Sequence, residues 1–247
     1  MTENQSKESG HWYCAVTGQP RYTTIGKNGK ERNTTLRDAK TNNLVPSVST
    51  INGLLAKNGL NTWLQTEVLK ATLANPRIAG EDEKDYISRV LDLSKAKSRE
   101  AADRGTYIHA IVQSYFEQDF LPEWPVYVHK VQEALDDHFG KLDWVAERSF
   151  ASPEGYGGKC DLFANGVVID IKTTEKSPGD LTPYYENTLQ LAAYREGLMP
   201  GARCANVYIN AETHEVAVVE HSEQDLKDGY EAFLSLLRVY KLKNKLQ

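Results

Sequence analysis

The chain lacks most of what would place it in a specialised class. Its 247 residues include three cysteines, Cys14, Cys160 and Cys204, standing far apart. No Cys-x-x-Cys occurs, so a structural zinc or an iron–sulfur cluster held within this chain is not expected. An odd cysteine count without pairs fits a reducing compartment, and a cytoplasmic protein is expected. No apolar run approaches ~18 residues, so no membrane span is expected. Residues 1–10 carry no apolar h-region and read as a disordered, solvated tail rather than a secretory signal. An excess of positive charge is missing as well: 29 Lys and Arg against 34 Asp and Glu give a formal net charge of −5. A passive nucleic-acid coat is usually basic overall, so nucleic-acid binding here must use local patches. Repeats, low-complexity tracts and a clear linker are also absent, which predicts a single domain over residues 11–247.

What is present is an ordinary globular composition, 40% hydrophobic and 26% charged, on a chain long enough to bury a real core. Charge is uneven. Residues 21–40 hold Arg21, Lys27, Lys30, Arg32, Arg37 and Lys40 against Glu31 and Asp38, a local +4 that leaves −9 for the remainder. Strands at 22–25 and 33–36 around a Gly26–Gly29 turn would make this a basic hairpin, a solvated surface or a phosphate contact. Lys241, Lys243 and Lys245 suit the end of a helix.

Residues 47–140 read as mostly helical, with segments at 47–55, 60–74, 81–93, 98–117 and 124–139. The 98–117 segment is the most regular, with Ala101, Gly105, Ile108, Val112 and Tyr115 on one face. After Gly140 the period changes. Strands are predicted at 144–150, 159–163, 167–173, 203–210 and 215–220. A helix at 181–197 has Thr182 as cap and Pro183 at its first position, and ends at Gly197 and Pro200. Ser222 with Asp225 resembles a capping box opening a last helix. The second half is thus β-β-β-α-β-β-α, an α/β pattern behind a helical first half.

The chemistry is concentrated between Gly157 and Thr174. Asn165-Gly166 between two apolar strands is a strong hairpin signal. A two-residue loop there pairs Ala164 with Val167, Phe163 with Val168, Leu162 with Ile169, and Asp161 with Asp170. Lys172 then shares a face with Asp170, while Leu162, Ala164, Val167, Ile169 and Ile171 fill the other. Two carboxylates ~5 Å apart repel by ~3 kcal/mol at an effective dielectric near 20. A good cross-strand pair contributes only ~0.2–1 kcal/mol, so a cation is needed between them. Lys172 is one candidate and a divalent metal the other. Magnesium takes one or two carboxylates plus water and phosphate, and a lysine beside it can orient an attacking water.

These residues carry a resemblance. Gly158-Lys-Cys-Asp161-Leu, then Asp170-Ile-Lys172-Thr-Thr, then Gln190-Leu-Ala-Ala-Tyr194 resemble the RecB-like branch of the PD-(D/E)XK nucleases. Gly105-Thr-Tyr-Ile-His109 resembles that branch's histidine motif. Pro46-Ser-Val-Ser-Thr-Ile51 followed by Trp63 is similar to small stand-alone exonucleases of phage and mitochondrial type. The resemblance spans roughly residues 46–194, with the motifs in the family's order. Cys160 stands where the motif is named for proline.

The resemblance implies a restriction-endonuclease-like core, a mixed sheet flanked by helices, with a helical N-terminal elaboration. It implies Asp161 and Asp170 as catalytic, metal-binding carboxylates and Lys172 as the catalytic lysine. His109 and the backbone carbonyl of Ile171 complete a Mg2+ or Mn2+ site, and Glu147 is an accessory acid. Gln190 and Tyr194 are placed at the nucleic acid; apart from the resemblance, Arg104 is expected to bind flanking phosphates, because a negative site needs cations to meet DNA. The implied partner is DNA, with recombination or helicase proteins and homo-oligomers occurring among relatives. The implied reaction is phosphodiester hydrolysis, as an exonuclease. Two rival readings attach to the same residues: a non-catalytic DNA-binding or recombination module of the same fold, and a retaining glycoside hydrolase, which also uses two carboxylates ~5 Å apart. Lys172 beside the pair fits the sugar chemistry poorly.

Overall fold

The protein was analysed as a computed structural model, which describes residues 11–119, 121, 123–177 and 181–246. The tail expected at residues 1–10 lies outside the described residues. The chain divides into two compact units, one of residues 55–108 and one of the residues up to Leu54 together with those from His109 on. No composition shift marks either boundary, and the second falls inside a helix, which is why the sequence reads as one domain.

The larger unit is built on a five-stranded mixed sheet. Its strands are β5 (Val145–Ser152), β6 (Tyr156–Ala164), β7 (Val167–Thr174), β8 (Arg203–Asn210) and β9 (Val216–Glu220), hydrogen-bonded in that order. Only β7 and β8 are parallel. Parallel strands need a long crossover, and helix α7 (Tyr185–Leu198) lies within it. The Asn165-Gly166 turn sets the β6–β7 register, with Leu162, Phe163 and Ala164 opposite Ile169, Val168 and Val167. Leu162, Ala164, Val167, Ile169 and Ile171 are all buried, as the alternation requires.

Helix α6 (Val126–Phe139) packs on β8 and β9 through buried Val128, Val131 and Leu135. Helix α8 (Glu223–Asn244) packs on α7, and Ser222 caps it by accepting the Asp225 N–H. Between them Tyr156 donates to the Ala193 carbonyl at 3.1 Å and meets the Phe233 ring edge-on at 4.8 Å. The short helix α2 (Val48–Asn52) joins this core through Val48 and Ile51, its N-cap Ser47 accepting from the Thr50 N–H. The sequence expectation ran this helix to Leu55, but it ends at Asn52 ahead of Gly53.

Near the N-terminus, β1 (Trp12–Cys14) pairs with β4 (Leu44–Pro46), and β2 (Thr23–Ile25) with β3 (Glu31–Asn33). The basic hairpin is therefore present, but its second strand lies earlier than expected. Leu36 instead opens helix α1 (Leu36–Thr41), because Thr35 and Asp38 form a reciprocal capping box. Arg32 is committed to Asp38 through two short hydrogen bonds of 2.6 and 2.8 Å.

The smaller unit consists of helices α3 (Asn58–Ala74), α4 (Glu83–Ser94) and the first part of α5 (Ala96–Phe116). Asn75 and Pro76 stop α3, as its sequence predicts, and Glu81 accepts a bidentate pair from Arg89. Among the described residues no helix is long and apolar enough to cross a membrane.

Candidate active site

The hairpin brings three acids into one row across the sheet. On β5 and β6, Ala146 faces Leu162 and Arg148 faces Cys160, so Glu147 falls opposite Asp161. On β6 and β7, the register that joins Leu162 to Ile169 brings Asp161 toward Asp170. Ladder pairing is interrupted at both steps. Glu147 lies in the left-handed region at φ 56, a conformation a non-glycine side chain adopts at a cost.

The expected face-to-face pairing of Asp161 with Asp170 is replaced by something else. Asp161 Oδ2 accepts the Ile171 backbone N–H at 2.5 Å, so a side chain takes the place of a ladder bond. Opening the strands at this step relieves the repulsion that direct pairing would impose.

Asp170 is buried on β7, and Lys172 Nζ reaches its Oδ2 at 2.8 Å. Asn206 on β8 stands beside it in the parallel register and donates to the same oxygen, also at 2.8 Å. Both donors engage Oδ2, so Oδ1 is the oxygen left to take a ligand. Burial pushes the Asp170 carboxyl up, with Lys172 opposing and Asp161 adding to the rise. Burial alone would lower the Lys172 ammonium, yet Asp170 holds its pKa above the usual 10.5.

Asp161 repeats this pattern. Its Oδ2 is tied to the backbone, and its Oδ1 lies 3.6 Å from His109 Nδ1, which projects from the later turns of α5. Burial works against the His109 charge, but Asp161 and then Asp170 outweigh it and raise the imidazole pKa above 6.5. Glu147 is held by Lys159, its ion-pair partner two residues before Asp161.

Gln190 on α7 accepts from Lys172 Nζ at 3.1 Å, and its Nε2 donates to Tyr194 Oη at 2.9 Å. These two bonds fix the amide with its oxygen toward the lysine. Tyr194, expected at the nucleic acid, is enclosed at 6% exposure. Its ring packs edge-on against Phe150 and lies so close to Gly158 that a Cβ there would sit 2.7 Å from it. Its part in the site therefore runs through Gln190. Arg104 pairs with Glu100 at 3.7 Å within the other unit.

The structure thus brings together Asp161, Asp170, Lys172, His109, Gln190 and Tyr194. Asn206 is the member that sequence reasoning missed. The available signal was a lone amide in the apolar strand Cys204-Ala-Asn-Val-Tyr-Ile209. Among the described residues, no three carboxylate, imidazole or thiol groups form a ready-made metal cage. The donor set is two carboxylate oxygens, each presented by a carboxylate tied down at its other oxygen, and one imidazole nitrogen. That chemistry fits magnesium or manganese, because magnesium uses one or two carboxylates and completes its shell with water and phosphate.

No protein-family model matches the chain, and no curated protein matches it. Solved structures do. A candidate exonuclease from Eubacterium rectale is 14% identical with a TM-score of 0.42, over 57% of this chain and 68% of that one. The protein solved as SSO0001 is 16% identical with a TM-score of 0.31, over 72% of this chain and 85% of that one. At such low similarity the functional reading must come from the side chains themselves.

Proposed function

We propose that the protein is a magnesium- or manganese-dependent deoxyribonuclease, acting as an exonuclease, with the restriction-endonuclease-like core of the RecB-like PD-(D/E)XK enzymes. The observation that carries this reading is the junction of β6 and β7. Two carboxylates there each offer one oxygen, and Lys172 and His109 stand beside them. Asp161, Asp170, His109 and the Ile171 carbonyl would hold the metal. Bound there, it would polarise a phosphoryl oxygen and lower the pKa of a water.

The chain's own residues do the positioning. Lys172 is an ammonium at neutral pH, so it donates rather than accepts a proton. It would hold the attacking water or a non-bridging phosphate oxygen, with Gln190 fixing its direction. The water oxygen attacks phosphorus and gives up a proton to bulk water, the bond to the departing ribose oxygen breaks, and that oxygen takes up a proton from bulk water. The cations of the 21–40 hairpin other than Arg32 would supply backbone contacts that a chain of net charge −5 needs.

The test uses end-labelled linear DNA, single- and double-stranded, with 5′ and 3′ labels apart, in magnesium, manganese or EDTA. Metal-dependent release that Asp170→Ala abolishes and Lys172→Ala slows by ~10²–10³-fold is the expected result, and the order of label release gives polarity. Cleavage in EDTA, or either variant cutting as fast as wild type, overturns the proposal. DNA binding without cleavage would favour the non-catalytic module.

A further inference from the structure

The hydrogen bond from Asn206 to Asp170 is one step in a longer chain. Asn206 is fully buried, and its Nδ2 donates to Asp170 Oδ2 at 2.8 Å and to the Asp170 carbonyl at 3.2 Å. Its Oδ1 must therefore act as acceptor, and the partner is His221 Nε2 at 2.8 Å. His221 Nδ1 lies 3.2 Å from Thr188 Oγ1 on α7. His221 and Thr188 are each only 9% exposed. Burial pushes the His221 pKa below 6.5, so the ring is neutral at neutral pH and has one N–H.

The donors then run in one direction. Thr188 donates to Nδ1, Nε2–H donates to Asn206, and Asn206 donates to Asp170. Reversing any link would leave a buried donor facing a donor, which costs the desolvation of both groups. Asp170 Oδ2 is thereby held from two sides, by this chain and by Lys172, and the carboxylate cannot rotate.

We propose that Asn206 and His221 are positioning residues for hydrolysis, setting the rotation of the Asp170 carboxylate so that Oδ1 is presented to the metal that Asp161, Asp170 and His109 would hold. This rests on the nuclease reading above. Groups that orient a metal-ligating side chain typically change metal affinity or activity by about 10–100-fold when removed.

The test compares His221→Leu, His221→Gln and Asn206→Leu with wild type. The readouts are kcat, KM for labelled linear DNA, the magnesium concentration for half-maximal rate, and thermal melting. His221→Leu should lower kcat by ~10–100-fold and raise the magnesium requirement, with KM for DNA unchanged. His221→Gln, whose amide can still donate to Asn206, should recover most of the rate. Imidazole 15N shifts of the wild type should show the proton on Nε2 of His221. If Asn206→Leu fails to fold, the two His221 variants and the nitrogen shifts still decide. A wild type that cleaves while His221→Leu matches it in kcat overturns this proposal alone. So does a loss of rate that only tracks the unfolded fraction, or a proton found on Nδ1. A wild type that cleaves under no condition removes the nuclease reading, and this proposal falls with it.

Discussion

Replacing Asp161 by asparagine should make the protein more stable while abolishing its activity. Direct cross-strand pairing at ~5 Å would set the repulsion at ~3 kcal/mol at an effective dielectric near 20; with the strands opened, Asp161 still pushes the Asp170 carboxyl up, and asparagine removes the repulsion that remains, ~3 kcal/mol at most. Asparagine keeps an oxygen for the Ile171 N–H, but a neutral acceptor binds it more weakly, by ~1 kcal/mol. The attraction between Asp161 and the part-exposed His109 is also lost, at ~0–1 kcal/mol. The attraction of Asp161 for Lys172 goes too, so the net gain is up to ~1 kcal/mol, or up to ~2–4 °C in melting temperature for a chain of this size.

The gain depends on pH with a definite sign. It exists while Asp170 is charged, above that group's raised pKa, and vanishes as pH falls through it and Asp170 becomes neutral. Magnesium should reverse the ranking, because a metal at 100 times its dissociation constant stabilises the wild type by ~2.7 kcal/mol and the variant far less. Melting curves of both proteins, in EDTA and in magnesium, at neutral and acid pH, read all three statements. An Asp161→Asn protein that melts below wild type in EDTA at neutral pH refutes the electrostatic argument. Equal magnesium shifts for both proteins refute the metal assignment.

Lys172→Ala should go the other way in stability. It leaves buried Asp170 with only Asn206 as donor and costs up to ~3 kcal/mol, below the fully buried case because Lys172 is partly exposed; chemical denaturation measures this, alongside a ~10²–10³-fold loss of rate. Gly197→Ala should destabilise by ~1–3 kcal/mol despite alanine's better helix propensity, because the new Cβ would overlap the Phe150 ring; a restored melting temperature in Gly197→Ala with Phe150→Leu would confirm the cause. Arg203 holds Glu220 down to about 2, its usual value being 4.5, so this pair stabilises the fold above pH ~4.5 and the contribution is lost as pH falls toward 2. Arg203→Ala should therefore lower stability by up to ~1 kcal/mol at neutral pH, with a difference that shrinks across that acid window in a pH series of melts.

Much of the sheet was legible because its signals are local. The Asn165-Gly166 turn fixes the β6–β7 register, and the strand alternation follows from it. Ser222 caps α8 through a contact three residues long. Other features depend on distant partners. Strands β1 and β4 have three residues each and pair across about thirty residues of chain, so neither shows a period. Helix α7 begins at Tyr185, not near Thr182, and its N-cap Tyr184 makes no side-chain bond; packing against α8 and the sheet decides where it starts. In the site, charge arithmetic foresaw that Asp161 and Asp170 need relief. It could not foresee that the backbone of Ile171 would supply part of it. His221 carried no readable signal, because its place beside Asn206 comes from its backbone N–H bonding the Cys204 carbonyl across β8 and β9.

Gln190, Tyr194 and Gly197 lie at successive turns of α7 and share one side of it. Tyr194 and Gly197 both meet Phe150 of β5, the glycine as a notch for the ring. A slip of one residue would rotate the helix by about 100°. It would drive a side chain into Phe150 and turn Gln190 away from Lys172 in the same movement. An atom that Gly197 does not have thus indexes the helix like a keyway on a shaft, and the direction of the Lys172 ammonium is set about two turns away from the amide that holds it.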